Sequence, residues 1–161
     1  MKQSIKTLII TFVVVLGGFA LPAHAQSGLV GGGIVVDVVG GTALLGINLQ
    51  VGSDSLFSTN FGGRLTTDFF FTADFGFDFG LDAYAHIHAS KVITFNVGGG
   101  ATLFVVPSLY LTPHAYLGID ARVIKNLSVF LDLMPGLNIP LQGQGGVGFE
   151  LYVMFGLRGR F

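Results

Sequence analysis

The chain has no cysteine, no tryptophan and little charge: only 11% of its residues are Asp, Glu, Lys or Arg, against roughly 25% in soluble domains. Without cysteine there is no disulfide framework, no thiolate–metal centre and no acyl-anchored lipoprotein cysteine. A formal net charge of −1 supplies no basic field, which excludes nucleic acid as a partner. No internal stretch reaches the roughly 20 uninterrupted apolar residues of a membrane-crossing helix. Phosphate-cradling loops, nucleophile elbows and zinc-protease motifs are missing too, and the sequence points to no cofactor.

What is present is apolar and rich in glycine. Hydrophobic residues fill 51% of the 161 positions, with 25 Gly and 16 Phe, one domain's worth of chain. They come in short alternating runs, of which Asp74 to His88 is the clearest. Phe75, Phe77, Phe79, Leu81, Ala83, Ala85 and Ile87 alternate there with Asp74, Gly76, Asp78, Gly80, Asp82, Tyr84, His86 and His88. A period of two is the strand period, because successive side chains point to opposite faces. In a soluble sandwich the greasy face would meet another greasy face. In a membrane barrel it meets lipid, and the polar face looks inward.

The first 25 residues read as an address. Lys2 and Lys6 precede an apolar stretch from Leu8 to Leu21, and Ala23-His24-Ala25 is a small-x-small cleavage pattern with Gln26 as the expected mature start. This is the pattern of a secretory signal peptide. Removing Lys2 and Lys6 with it takes the formal charge from −1 to −3.

Residues 26–161 divide into eight period-two runs separated by turn residues. They cover 29–38, 42–51, 56–69, 74–88, 92–104, 114–124, 127–134 and 146–161. Gly40-Gly41 and Lys125-Asn126 read as two-residue hairpin turns, and 52–55 and 89–91 as further short turns. The stretches 70–73, 105–113 and 135–145 read as connections of equal or greater length. With the N-terminus in the periplasm, the short turns other than Gly40-Gly41 fall on the periplasmic side, as outer-membrane barrels require. Each run is about long enough to cross a bilayer when tilted. Unpaired strand edges in hydrocarbon cost several kcal/mol per exposed N–H or C=O, so the first run is expected to pair with the eighth. The predicted fold is all-β: a membrane-spanning antiparallel up-and-down β-barrel of eight strands.

The chain ends Glu150-Leu-Tyr-Val-Met-Phe-Gly-Leu-Arg-Gly-Arg-Phe161. A terminal Phe161 after alternating apolar positions, Phe155 and Leu157 among them, resembles the assembly signal of outer-membrane barrels. Gly159 departs from that pattern, where a bulky residue is usual. Together with the leader and the strand count, residues 27–161 resemble the small eight-stranded barrels of the OmpA/OmpX type. The resemblance implies an outer-membrane location, contact with outer-membrane lipids, handling by periplasmic chaperones and the barrel assembly machinery, and a monomer. Phe57, Phe61, Phe69, Phe75, Phe77, Phe155 and Phe161 lie toward run ends, where interfacial aromatic girdles sit.

Chemistry, if present, belongs to the lumen. The inward charges are Asp37, Arg64, Asp68, Asp78, Asp82, Asp120, Arg122, Asp132, Glu150, Arg158 and Arg160. Strand direction puts Asp37, Asp68, Asp78, Asp132 and Glu150 in the outer half, with Arg64 below them. Arg122, Arg158, Arg160, His86 and His88 fall toward the periplasm, with Asp82 and Asp120 near the middle. Buried charges must be paired, so Arg64, Asp78, Asp82, Asp120, Arg122, Glu150 and Arg158 are expected to form a structural polar network. Arg64 would face Asp78 and Asp82. Eight strands leave a lumen just wide enough for side chains to fill, which favours a plugged, non-enzymatic barrel over a narrow pore. His86-Ile-His88 could share a metal, but no third ligand is placed. His88-Ala-Ser90 resembles the His-x-Ser of a lipid A deacylase family. That resemblance lacks its carboxylate, because Glu150 lies near the other end.

Overall fold

In the computed structural model, the described residues are 28–161 without 59, 72–74, 107 and 142–145, and for Phe57 the backbone alone. The expected leader, Gln26 and Asp74 lie outside them. Eight strands follow one another: β1 (Gly28–Val39), β2 (Thr42–Ser58), β3 (Phe61–Phe70), β4 (Gly76–His88), β5 (Ile93–Val106), β6 (Tyr110–Ile124), β7 (Leu127–Pro140) and β8 (Gly148–Arg160). Each pairs antiparallel with the next, and β1 pairs with β8 to close the ring. The closing seam runs from Leu29 opposite Arg160 to Val39 opposite Glu150. It is finished by the Gly28 and Phe161 backbones, which exchange hydrogen bonds of 2.8 and 3.0 Å. This is the predicted up-and-down barrel. The end carrying Gly28 and Phe161 is called the termini end below, and the opposite one the far end.

Two hairpins form where the turn residues predict them. Gly40 and Gly41 have φ of 55° and 84°, the left-handed pair that a two-residue turn of this twist demands. Lys125-Asn126 joins β6 to β7. Other boundaries move. The 52–55 turn is absent: β2 continues to Ser58, and its pairing with β3 shifts register between Ser53 and Ser58. Ser53 Oγ accepts the Ser55 N–H there at 3.2 Å, so a local side-chain bond satisfies the backbone inside the irregular ladder.

The two proline-bearing connections also shrink, because β6 begins at Tyr110 and β7 runs through Pro135 to Pro140. Proline has no N–H to give a ladder. The β6–β7 pairing accommodates this by lapsing at the prolines while keeping step, from Leu111–Ile139 to His114–Gly136 to Leu117–Leu133.

The distribution of polarity is inverted relative to a water-soluble protein. Leu45, Ile47, Leu81, Leu117, Ile119, Leu131 and Leu133 stand exposed on the outside. Asp37, Asp78, Asp132, Glu150, Arg64 and Arg158 are each 2% exposed or less. Near the far end the outer wall carries a phenylalanine cluster, with Phe77 edge-on to Phe79 at 4.5 Å and Phe69 stacked on Phe77 at 6.2 Å. Such a surface is stable against acyl chains and not against water.

A charge placed in mid-wall should therefore be costly. Leu117, flanked by Val97 and Leu133 on the neighbouring strands, is the test position. Leu117→Arg is expected to lower unfolding free energy in lipid vesicles by ~2–4 kcal/mol, and Val123→Arg near the strand end by ~0–1 kcal/mol. Urea titration measures both, and equal costs would contradict lipid contact along the wall.

Candidate functional site

The lumen side chains fall into three levels. At the centre, Arg64 on β3 stands directly opposite Asp82 on β4, and its Nε donates to Asp82 Oδ2 at 2.8 Å. Arg64 Nη1 donates to Gln50 Oε1 at 3.1 Å and to Asp132 Oδ2. Arg158 on β8 reaches the same Asp132 oxygen through Nη2 at 2.8 Å and the same Gln50 oxygen at 2.9 Å. Its Nη1 takes both oxygens of Asp120, at 2.9 and 3.0 Å. Tyr116 donates its hydroxyl to Asp132 Oδ1 at 2.9 Å. Asp132 and Gln50 thus bridge two guanidiniums contributed by strands on different sides of the ring. Each guanidinium also lies 4.3 Å from the centroid of an aromatic ring, Arg64 over Tyr116 and Arg158 over Phe130. Such packing recovers part of the cost of taking a cation out of water.

His114 belongs to this level. Its Nε2 lies 2.7 Å from Asp82 Oδ1 and its Nδ1 lies 3.1 Å from the Thr112 carbonyl. Space for these groups comes from inward glycines. A Cβ at Gly100 would collide with Asp82 and His114, and one at Gly118 with Tyr116 and Asp132.

At the termini end the lumen opens into a cavity of about 160 Å³, lined among others by Asp54, His86, His88, Asp120, Arg122 and Arg160. Arg160 pairs with Asp54 and, at 3.0 Å, with Asp120. The two imidazoles stack with centroids 6.1 Å apart. Their nitrogens face Asn96 Oδ1, the Asp54 carbonyl and Thr94 Oγ1. Among the described residues no group of three or more His, Asp or Glu is arranged to hold a metal ion. His88 and Ser90 sit at this end, where Ser90 Oγ accepts the Val92 and Ile93 N–H groups. Glu150 is in the far half, so the three are not brought together.

At the far level the side chains are acidic. Asp68 stands directly opposite Asp78. Asn48 donates to Asp68 Oδ1 at 2.6 Å, and Tyr152 donates to Asp78 Oδ2 at 3.1 Å. Glu150 accepts from Thr112 and, at 3.3 Å, from Asn138.

Of the residues predicted for the network, Arg64, Asp82, Asp120 and Arg158 are joined. Asp78 and Glu150 are held apart from the arginines, and Arg122 stands exposed on the rim where the β6–β7 register shifts. Asp132 lies level with Arg64 rather than above it, because β7 continues past Pro135 and leaves Asp132 in mid-strand. Asp54 and His114 were not legible as lumen residues, since one was assigned to a turn and the other to the start of a run. Carrying the alternation past Gln50 and back from Tyr116 would have found both.

No family model and no curated protein matches the chain. Solved structures do match. The N-terminal β-barrel domain of Pseudomonas aeruginosa OprF is similar with a TM-score of 0.61 at 14% identity, over 84% of this chain and 98% of that one. Neisserial surface protein A (NspA) is similar with a TM-score of 0.60 at 9% identity, over 84% and 96%. Ail, the attachment invasion locus protein of Yersinia pestis, reaches 0.50 at 13% identity, over 84% and 97%. At these identities the likeness establishes the fold.

Proposed function

We propose that this chain is a non-enzymatic integral barrel of a bacterial outer membrane, exported through the secretory pathway, with a side-chain-filled lumen and an envelope or surface role. The observation that carries it is the central bridge. Gln50, Asp132, Arg64 and Arg158 span the ring and are each 3% exposed or less, so the cavity at the termini end is a vestibule and not a passage. An exposed apolar wall around a paired polar interior is the arrangement expected of a chain solvated by lipid.

On this reading the partners are outer-membrane lipids throughout life, and periplasmic chaperones and the barrel assembly machinery during biogenesis, with the mature protein a monomer. Phe155, Leu157 and Phe161 support the assembly role, being 56%, 52% and 70% exposed along the outside of the last strand. The short connections leave little surface for elaborate recognition.

Planar-bilayer recording tests the plugged lumen. The purified barrel is expected to give no discrete conductance steps at neutral pH. Stable, salt-dependent steps would replace this reading with a narrow pore.

A further inference from the structure

The charges of the lumen are unevenly distributed. The centre and the termini end hold Arg64, Arg158 and Arg160 together with Asp54, Asp82, Asp120 and Asp132, and every one of these carboxylates has a cationic partner. The far level holds Asp37, Asp68, Asp78 and Glu150, each 1% exposed or less, and among the described residues none of them forms an ion pair. Among the described residues Asp37 has no hydrogen-bond partner on either carboxylate oxygen, and Asp68 Oδ2 and Asp78 Oδ1 have none either.

Every strand of the ring presents a group at this level. On β1, Asp37 stands opposite Tyr152, one inward position along β8 from Glu150. β2 presents the neutral Asn48. β3 and β4 present Asp68 and Asp78, which stand directly opposite each other. β5 presents Thr102 and Phe104, β6 Thr112 and Tyr110, which pairs with Phe104, and β7 Met134 and Asn138. β8 adds Glu150 and Tyr152, whose hydroxyl is taken by Asp78. The Arg64 backbone is four residues down β3 from Asp68, about 13 Å at ~3.3 Å per residue, and its guanidinium is engaged by Asp82 and Asp132 instead. His114, the next titratable group down β6, is engaged by Asp82.

Four carboxylates without a cationic partner cannot all stay charged in so buried a space. Like charges directly opposite on adjacent strands repel, and oxygens without donors lose their hydration with nothing in return. Either protons or a metal cation must compensate, and among the described residues no group of three or more acidic or imidazole side chains is arranged for a metal.

We propose that the far half of the lumen is a proton-binding site that holds two protons at neutral pH, one shared by Asp68 and Asp78, which stand directly opposite each other, and one on Asp37, whose carboxylate has no donor. A shared proton converts two repelling acceptors into a donor and an acceptor. That gives Asp68 Oδ2 and Asp78 Oδ1 their missing partners, and the proton on Asp37 turns one of its two donorless oxygens into a donor. The pair then titrates as a unit. Raising the pH removes both protons and leaves adjacent anions, so the far half loosens while the ion-paired centre holds. The inference rests on the plugged reading of the lumen, but its readout is independent of conductance.

Infrared spectroscopy of the full barrel in lipid vesicles tests it. A protonated-carboxyl C=O band that shifts on deuteration is expected at neutral pH and is lost at alkaline pH. Asp37→Asn should remove about half of it, and Asp37→Asn with Asp68→Asn nearly all. Asp78→Asn substitutes for Asp68→Asn if that variant does not fold, as judged by heat-modifiable gel mobility. A missing band, a band unchanged in the variants, or a tightly held metal cation found by elemental analysis would each overturn the proposal. Conductance in a protein that keeps the band would overturn the plug and leave the proton site standing.

Discussion

Asp132→Ala is expected to be the most damaging single side-chain truncation in the lumen, lowering stability by ~3–5 kcal/mol. The reason is convergence. One carboxylate oxygen accepts from both Arg64 and Arg158, and the other accepts from Tyr116. Truncation leaves two buried guanidiniums facing each other across the ring with only Gln50 between them, and a buried hydroxyl with no acceptor. Breaking a buried pair costs far more than the intact pair contributes: Arg64 keeps Asp82 and Arg158 keeps Asp120, but both lose the anion that lies between them. Asp132→Asn keeps an acceptor in place and is expected to cost less. Arg122→Ala, at an exposed rim position, should lie within ~0.5 kcal/mol of the unmodified protein. Urea midpoints in lipid vesicles give the order. If Asp132→Ala and Arg122→Ala unfold together, the central bridge is not what holds the lumen.

Gly156→Val is expected to abolish the closed barrel, read as loss of the heat-modifiable band. Gly156 and Gly33 are direct partners across the β1–β8 seam. A Cβ on Gly156 would overlap the Gly32 carbonyl oxygen and lie 2.6 Å from the Gly33 Cα, and a Cβ on Gly33 meets Phe155 and Gly156 in the same way. The obstacles are backbone atoms, which cannot rotate aside like a side chain. Overpacking of an ordinary core costs ~1–3 kcal/mol. Here relief requires the seam to part, which would leave backbone N–H and C=O groups in hydrocarbon at several kcal/mol each. Gly148→Val is the control, because a Cβ there has nothing within 4 Å. A folded Gly156→Val barrel would mean that β1 and β8 can close without this approach.

Strand number and side-chain direction were legible because both follow from a local rule. Each of Phe77, Phe79 and Leu81 alternates with Asp78, Gly80 and Asp82, and the barrel turns them outward and inward as that order demands. Turn positions were less legible. Gly52-Ser53-Asp54-Ser55 has turn composition, yet β3 pairs alongside it and the irregular ladder absorbs the polar residues. Pro113 and Pro135 suggested loops, but a ladder that skips a rung tolerates a missing N–H. The cost of a proline or a serine pair depends on what the neighbouring strand offers, and no local pattern records that.

The amino-acid order by itself determined that this chain makes eight two-faced strands with a polar inside and a hydrocarbon-compatible outside, since both the period and the polarity reside in adjacent residues. Which inward charges meet was decided by the tertiary structure alone. Arg64 takes Asp132 from a strand 68 residues away, and Asp68 meets Asp78 instead of an arginine. The stagger of eight strands around a ring sets the height of every side chain, and height is a property of the closed ring that no single strand contains.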